Sequence, residues 1–309
     1  MRIVSLLPSA TEMLCALGLE DQLVGVTHGC DFPETVTRLP RVTSTGIPHD
    51  APSAEIDRLV RERHAAGLPL YDLDRELLTR LRPDLLVTQG LCDVCAVPDR
   101  DARDVAAELP GCPAVVSLAP RTLEDVFANI LELGQLTGRN GEAALLVSDL
   151  RDRTDRVRAV TGKAGYHPRV TLLEWLDPLY ACGHWTPELV EYAGGREGHA
   201  RTGDASRVLS WGEVIAWQPE VMVIAGCGLT VTEVRQEFHS LERRPGFDQL
   251  PCARTGRITA VDGLAYFSRP GPRLVDSLEL LAHLLHPDLF PSSPAPSLSL
   301  GTAPRPVPA

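Results

Sequence analysis

The sequence predicts an α/β protein of two lobes, and three observations predict it. Short apolar runs alternate with helical stripes along most of the chain, the pattern of mostly parallel sheets covered by helices on both faces. The alternation is interrupted once, by two consecutive helical stretches near the middle. The chain has 309 residues, 44% of them hydrophobic, enough for two cores of about 150 residues each.

The first unit is a strand at Ile3 to Leu7, then a helix opened by Ser9 with Glu12 three residues on, a capping box, and closed near Gly18. A strand at Val24 to His28 follows. The helical spacing of Ile56, Leu59 and Val60 and the stretch "DRELLTRLRPDLLVT" give two helices, the second stopping before Pro83 and handing over to a strand at Asp84 to Thr88. A helix around Ala102 to Glu108 and a strand at Ala114 to Leu118 complete the first lobe, 1–118. The linker, 119–163, carries a stripe of Leu123, Val126, Phe127 and Ile130 and a long helix over Glu142 to Val160 that is placed to be a spine.

The second lobe, 164–290, resumes with a strand at Arg169 to Glu174 and a helix opened by Thr186 and Pro187 and closed at Gly194-Gly195. A capping box at Ser210 and Glu213 precedes a strand at Val221 to Ala225, and a strand at Ile258 to Val261 precedes a helix from about Pro272 to Leu285. Residues 291–309, rich in Pro, Ser and Ala, read as a flexible tail.

Composition excludes some functions. A formal charge of −11 and the lack of a basic run argue against nucleic acid, which needs a basic face. No apolar run approaches the about 20 residues of a spanning helix, so no membrane insertion is expected. The N-terminus runs directly into a strand, which places the chain as written in the cytoplasm. A chain whose export signal had been replaced by Met1 would read the same way and be periplasmic.

In a parallel α/β sheet, ligands bind beyond the C-terminal strand ends, where loops vary freely. His28 and Cys30 follow the second strand, and Cys92 and Cys95, in Cys-x-x-Cys spacing, follow the strand from Asp84. Cys182, His184 and Trp185 follow the strand from Arg169; Cys227 follows the strand from Val221; Tyr266, Ser268 and Arg269 follow the last. Each residue alone has a bland reading, a Cys as a small core hydrophobe or a His as a bonded structural group. Convergence suggests more: Cys30, Cys92, Cys95 and Cys227, with His28 or His184 as an extra donor, are expected to form a thiolate-rich metal site.

The stretches "RIVSLLPSATEMLCALGLEDQLVGVTHGCDFP", "LYDLDRELLTRLRPDLLVTQ" and "RPGPRLVDSLELLAHLLHP" resemble the class III solute-binding proteins, the iron-chelate and cobalamin-binding components of ABC importers. Similarity is greatest to the cobalamin-binding subgroup. The resemblance implies two Rossmann-like lobes joined by a single long α-helix, with a ligand cleft between them and little hinge motion. It implies a ligand-binding set of Ser9, Gln89, His184, Trp185, Tyr266 and Arg269. In that set His184 or a thiolate is an axial ligand, Trp185 and Tyr266 cover a flat corrinoid or iron chelate, and Arg269 meets a peripheral acid group. An ABC permease is the implied partner of an exported form. Two departures stand: there is no export signal or lipobox, and the cysteine set exceeds what chelate binding needs.

The leading expectation is therefore a non-catalytic protein that binds a small molecule, a cobalamin-like or iron-chelate ligand. The alternative is a cytosolic metalloprotein, redox or enzymatic, whose four cysteines hold zinc or an iron–sulfur cluster. Disulfide exchange at Cys92 and Cys95 lacks a thioredoxin-like context, and no nucleophile elbow or His-Glu-x-x-His supports a hydrolase.

Overall fold

A computed structural model describes residues 1–48, 51–91 and 96–301, which form two compact units. The first comprises Met1–Ala51, Glu55–Pro120 and Glu124–Asp149; the second comprises Pro52–Ala54, Arg121–Leu123 and Leu150–Ala309.

The first unit holds β1 (Ile3–Ser5), α1 (Pro8–Ala16), β2 (Leu23–Val26), β3 (Thr43–Thr45), α2 (Ser53–Ala65, its first two residues counted with the second unit), β4 (Tyr71–Leu73), α3 (Arg75–Leu81), β5 (Leu85–Gln89), α4 (Asp99–Glu108) and β6 (Ala114–Leu118). Helix α5 (Leu123–Thr137) follows, and the division between units falls inside α6 (Asn140–Thr161). Among the described residues the main sheet is parallel in the order β2-β1-β5-β6, and β3 and β4 pair as a separate antiparallel ribbon. Strand β5 is buried along its whole length, as a strand covered on both faces must be. Val4, Leu6, Leu78, Leu86 and Val105 meet in its core.

The capping box expected at Ser9 does not form. Pro8 occupies the first helical turn, where its fixed φ and missing N–H cost nothing, so Leu7 becomes the N-cap and Ser9 lies buried inside α1. The box expected at Ser210 and Glu213 is present, and a second, unforeseen one at Thr230 and Glu233 opens α9 (below).

The second unit continues with β7 (Arg169–Leu176), β8 (Leu179–Ala181), α7 (Thr186–Tyr192), β9 (Arg196–Glu197), β10 (Arg207–Val208), α8 (Trp211–Trp217), β11 (Val221–Ile224), α9 (Val231–Glu242), α10 (Pro251–Thr255), β12 (Ile258–Val261), α11 (Leu274–Leu285) and β13 (Ser297–Ser299). Among the described residues its sheet runs β10-β8-β7-β11-β12-β13, with β9 beside β7. The centre, β7-β11-β12, is parallel, and both flanks turn antiparallel.

Strand β13 corrects the flexible-tail expectation for the described part of 291–309. Leu298 and Leu300 pack on the core that contains Met222, Ile224, Ile258 and Ala260. Ser297, Leu298 and Ser299 pair with Val261, Ala260 and Thr259, so two apolar side chains and a ladder of backbone bonds order an otherwise polar segment.

All four tryptophans, Trp175, Trp185, Trp211 and Trp217, lie in the second unit, so tryptophan fluorescence reports on that unit selectively. Leu298→Asp is expected to lower its stability by about 1–3 kcal/mol, read as a lower urea midpoint by fluorescence. An unchanged midpoint would show that the strand contributes nothing.

Candidate functional site

The strand-end face of the second unit is built from three loops locked to one another. Near the end of β7, the backbone carbonyl of Glu174 accepts from Cys227 N at 2.8 Å. After β11, the Gly226 carbonyl lies so close to Gly263 that a Cβ there would overlap it, and Leu264 N donates to Leu229 O at 3.2 Å. Only glycine allows this approach of two backbones. Gly228 N donates to Ser268 Oγ at 3.4 Å, which joins the β11 loop to the loop that carries Tyr266 and Arg269.

His184 sits in the left-handed region at φ 54°, a conformation that costs a non-glycine residue roughly 1 kcal/mol or more. It is held there from both sides: its N–H donates to Asp204 O at 2.6 Å and its carbonyl accepts from Gly203 N at 2.9 Å. The imidazole is half-buried, Nδ1 is covered and has no hydrogen-bond partner among the described residues, and the ring stacks on Trp185 at 5.6 Å. Burial, then the Arg121 guanidinium, lower its pKa, which keeps the ring neutral and able to ligate a metal.

Trp185 is only 6% exposed, and its Nε1 donates to Phe267 O at 3.0 Å. It therefore backs His184 rather than offering an open platform. Tyr266 is half-buried, with the Arg273 guanidinium 5.4 Å from its ring centre, and its carbonyl accepts from Ser277 Oγ at 2.6 Å. Arg269 is buried and Cys227 is exposed. His184, Trp185, Cys227, Tyr266 and Arg269 thus belong to one loop cluster.

In the first unit the strand-end residues turn inward. Cys30 is buried with Sγ 3.0 Å from Thr11 Oγ1. Thr43 Oγ1 lies 2.8 Å from His28 Nδ1 and accepts from His28 N at 3.0 Å, and the His28 ring lies 5.6 Å from that of Tyr71. Ser9 and Gln89 are buried at the mouth of α1 and the end of β5. Cys92 and Cys95 lie outside the described residues. Among the described residues, no three of His, Cys, Asp and Glu are arranged to hold a metal ion. Of the thiolate set expected above, Cys30 lies beside Thr11 inside the first unit and Cys227 belongs to the second.

Two acids in the second unit carry displaced protons. Burial pushes Glu174 up to about 7 against the hydrogen bonds from Ser206 and Gly183, and burial pushes Glu197 to about 7 against the backbone N–H groups of His199 and Gly198. The Cys182 thiol between them is driven well up by burial, then by the two carboxyls. His199, bonded to Thr171 Oγ1 at 2.9 Å, is lowered by burial and by Arg207 to about 4.

Residues 3–263 match the family model described as periplasmic binding protein. The chain belongs to that family. An uncharacterized ABC transporter substrate-binding lipoprotein of Bacillus subtilis is 24% identical over 297 residues, 94% of this chain and 81% of the relative. The vitamin B12-binding protein of Vibrio parahaemolyticus is 24% identical over 285 residues, 90% of this chain and 86% of the relative. Among solved structures, the periplasmic heme-binding protein from Roseiflexus sp. RS-1 superposes with TM-score 0.71 at 24% identity, covering 93% of this chain and 98% of that one. The periplasmic vitamin B12-binding protein of Vibrio cholerae gives 0.66 at 21%, covering 92% and 96%. These likenesses establish the class III α/β fold. No described helix is long and apolar enough to cross a membrane, and the cytoplasmic placement expected above draws no support from relatives named periplasmic or lipoprotein.

For this family member, sequence reading overlooked Glu174, Ser206 and Arg273. A lone acid inside a largely apolar strand, three residues before Asp177-Pro178, is the available signal for Glu174.

A carboxyl raised in the fold stabilises it fully below its ordinary value of 4.5 and loses that contribution as pH rises through about 7. A lowered histidine acts oppositely, and the His199 contribution is complete above 6.5. Above 6.5 only the acids remain of these three groups, so the fluorescence-monitored urea midpoint is expected to fall between about pH 6.5 and 8. Glu197→Gln is expected to remove part of that fall; an identical profile would place the Glu197 proton elsewhere.

Proposed function

We propose that this chain is a non-catalytic solute-binding component that captures a corrinoid or iron-chelate ligand and delivers it to an ABC permease outside the cytoplasm. The observation that carries the reading is the loop cluster of the second unit, in which a neutral imidazole, a half-exposed aromatic ring and a guanidinium share one strand-end face within a periplasmic binding protein. Relatives named for vitamin B12 and heme supply the ligand class.

In this reading His184 supplies an axial nitrogen to the ligand's metal. Trp185 holds the imidazole plane from behind, Tyr266 packs on the ligand face, and Arg269 answers a peripheral carboxylate or phosphate through charge-assisted bonds. Ser9 and Gln89 mark the corresponding strand-end face of the first unit. The family resemblance and the absence of a paired nucleophile and base among these residues support binding rather than turnover.

Titration with cyanocobalamin and with hemin, followed by absorption and tryptophan quenching, tests the reading. One of the two is expected to bind, with the absorption bands shifted in wild type and less so in His184→Ala. Arg269→Ala is expected to weaken that binding about 10- to 100-fold, the worth of a hydrogen bond to a charged group. Failure of both probes to bind wild-type protein overturns the ligand class.

A further inference from the structure

We propose that Glu174 is a positioning residue: its side chain ties the loop bearing His184 and Trp185 to the strap 203–206, and so sets the geometry of the binding face. What that loop contacts rests on the solute-binding reading above.

The carboxyl group of Glu174 spans the gap between two segments distant in sequence. Its Oε1 accepts from Gly183 N at 3.2 Å, and its Oε2 accepts from Ser206 Oγ at 2.5 Å. The same two segments exchange backbone bonds one residue further on, His184 N to Asp204 O and Gly203 N to His184 O. They approach so closely that a Cβ on Gly183 would overlap the backbone nitrogen of Ser206. The Glu174 main chain meanwhile holds Cys227 N. One residue near the end of β7 therefore ties the 183–185 loop, the 203–206 strap and the β11 loop together.

The strained backbone of His184 explains why such a tie is needed. A left-handed histidine persists only where its surroundings over-determine it, and the strap that grips both its backbone groups is itself anchored by Ser206 on Glu174. The groups that meet the carboxyl are the Gly183 and Ser206 donors with the Thr186 hydroxyl beside them, Cys182 as a titratable neighbour that also meets Glu197, and His184 one residue beyond Gly183. Burial raises this carboxyl to about 7 against the donors that meet it, and Gln, which keeps a side-chain oxygen of the same reach, is its closest uncharged mimic.

Hydrogen exchange at Gly183 and His184 tests the proposal without any ligand. Glu174→Ala is expected to lower protection of these amides about 10-fold relative to the rest of the second unit, by local opening of the loop. Glu174→Gln is expected to restore it, and Ser206→Ala to reproduce part of the loss. Protection unchanged in Glu174→Ala, or lost uniformly across the unit and not rescued by Gln, overturns the positioning role. Where cyanocobalamin or hemin binds wild type, Glu174→Ala is expected to weaken it about 10-fold, as loss of a group that orients a ligating side chain does. If neither probe binds wild type, the solute-binding reading fails, while the exchange result still decides the role of Glu174.

Discussion

Burying a carboxyl group near the end of β7 costs free energy that the second unit offsets with the donors turned toward it. Glu174 meets the donors of Gly183 and Ser206, against which burial raises its pKa. Around that constraint the rest of the face is arranged: a glycine where the strap crosses the loop, a histidine forced into left-handed backbone, and a tryptophan whose indole is tied to Phe267. Groups that must keep a fixed geometry in front of a ligand are commonly held by just such supporting bonds.

The two units place their strand-end side chains differently. In the second, His184, Cys227, Tyr266 and Arg269 lie in loops stitched by backbone hydrogen bonds. In the first, Cys30 and His28 are drawn to the buried hydroxyls of Thr11 and Thr43. A buried thiol beside a threonine hydroxyl packs as a small apolar group, which is why a cysteine at a strand end need not be a ligand.

Much of the fold was legible because long strands and helices leave a periodic trace. The strands at Ala114–Leu118 and Ile258–Val261 appear where the apolar runs place them, and the capping box at Ser210 marks its helix correctly. Elements of two or three residues, such as β3, β8, β9 and β10, are too short to show an alternation. Helix α9 was overlooked although Thr230 and Glu233 announce it. At the candidate site the sequence indicated which residues follow which strands, but not which way each turns. Trp185 faces inward because its indole N–H finds Phe267 O, a partner 82 positions away. Glu174 reads as one more strand residue, since nothing local reveals that Ser206 lies against it.

The short strand Ser297–Ser299 matters beyond the bonds it makes. It lies along β12, which would otherwise end the sheet with an open row of backbone donors and acceptors. Unpaired edges recruit other chains. Trimming the Pro- and Ser-rich end as dispensable would uncover β12, leaving a chain that can still fold but is prone to add strand to strand with its neighbours and leave solution as aggregate.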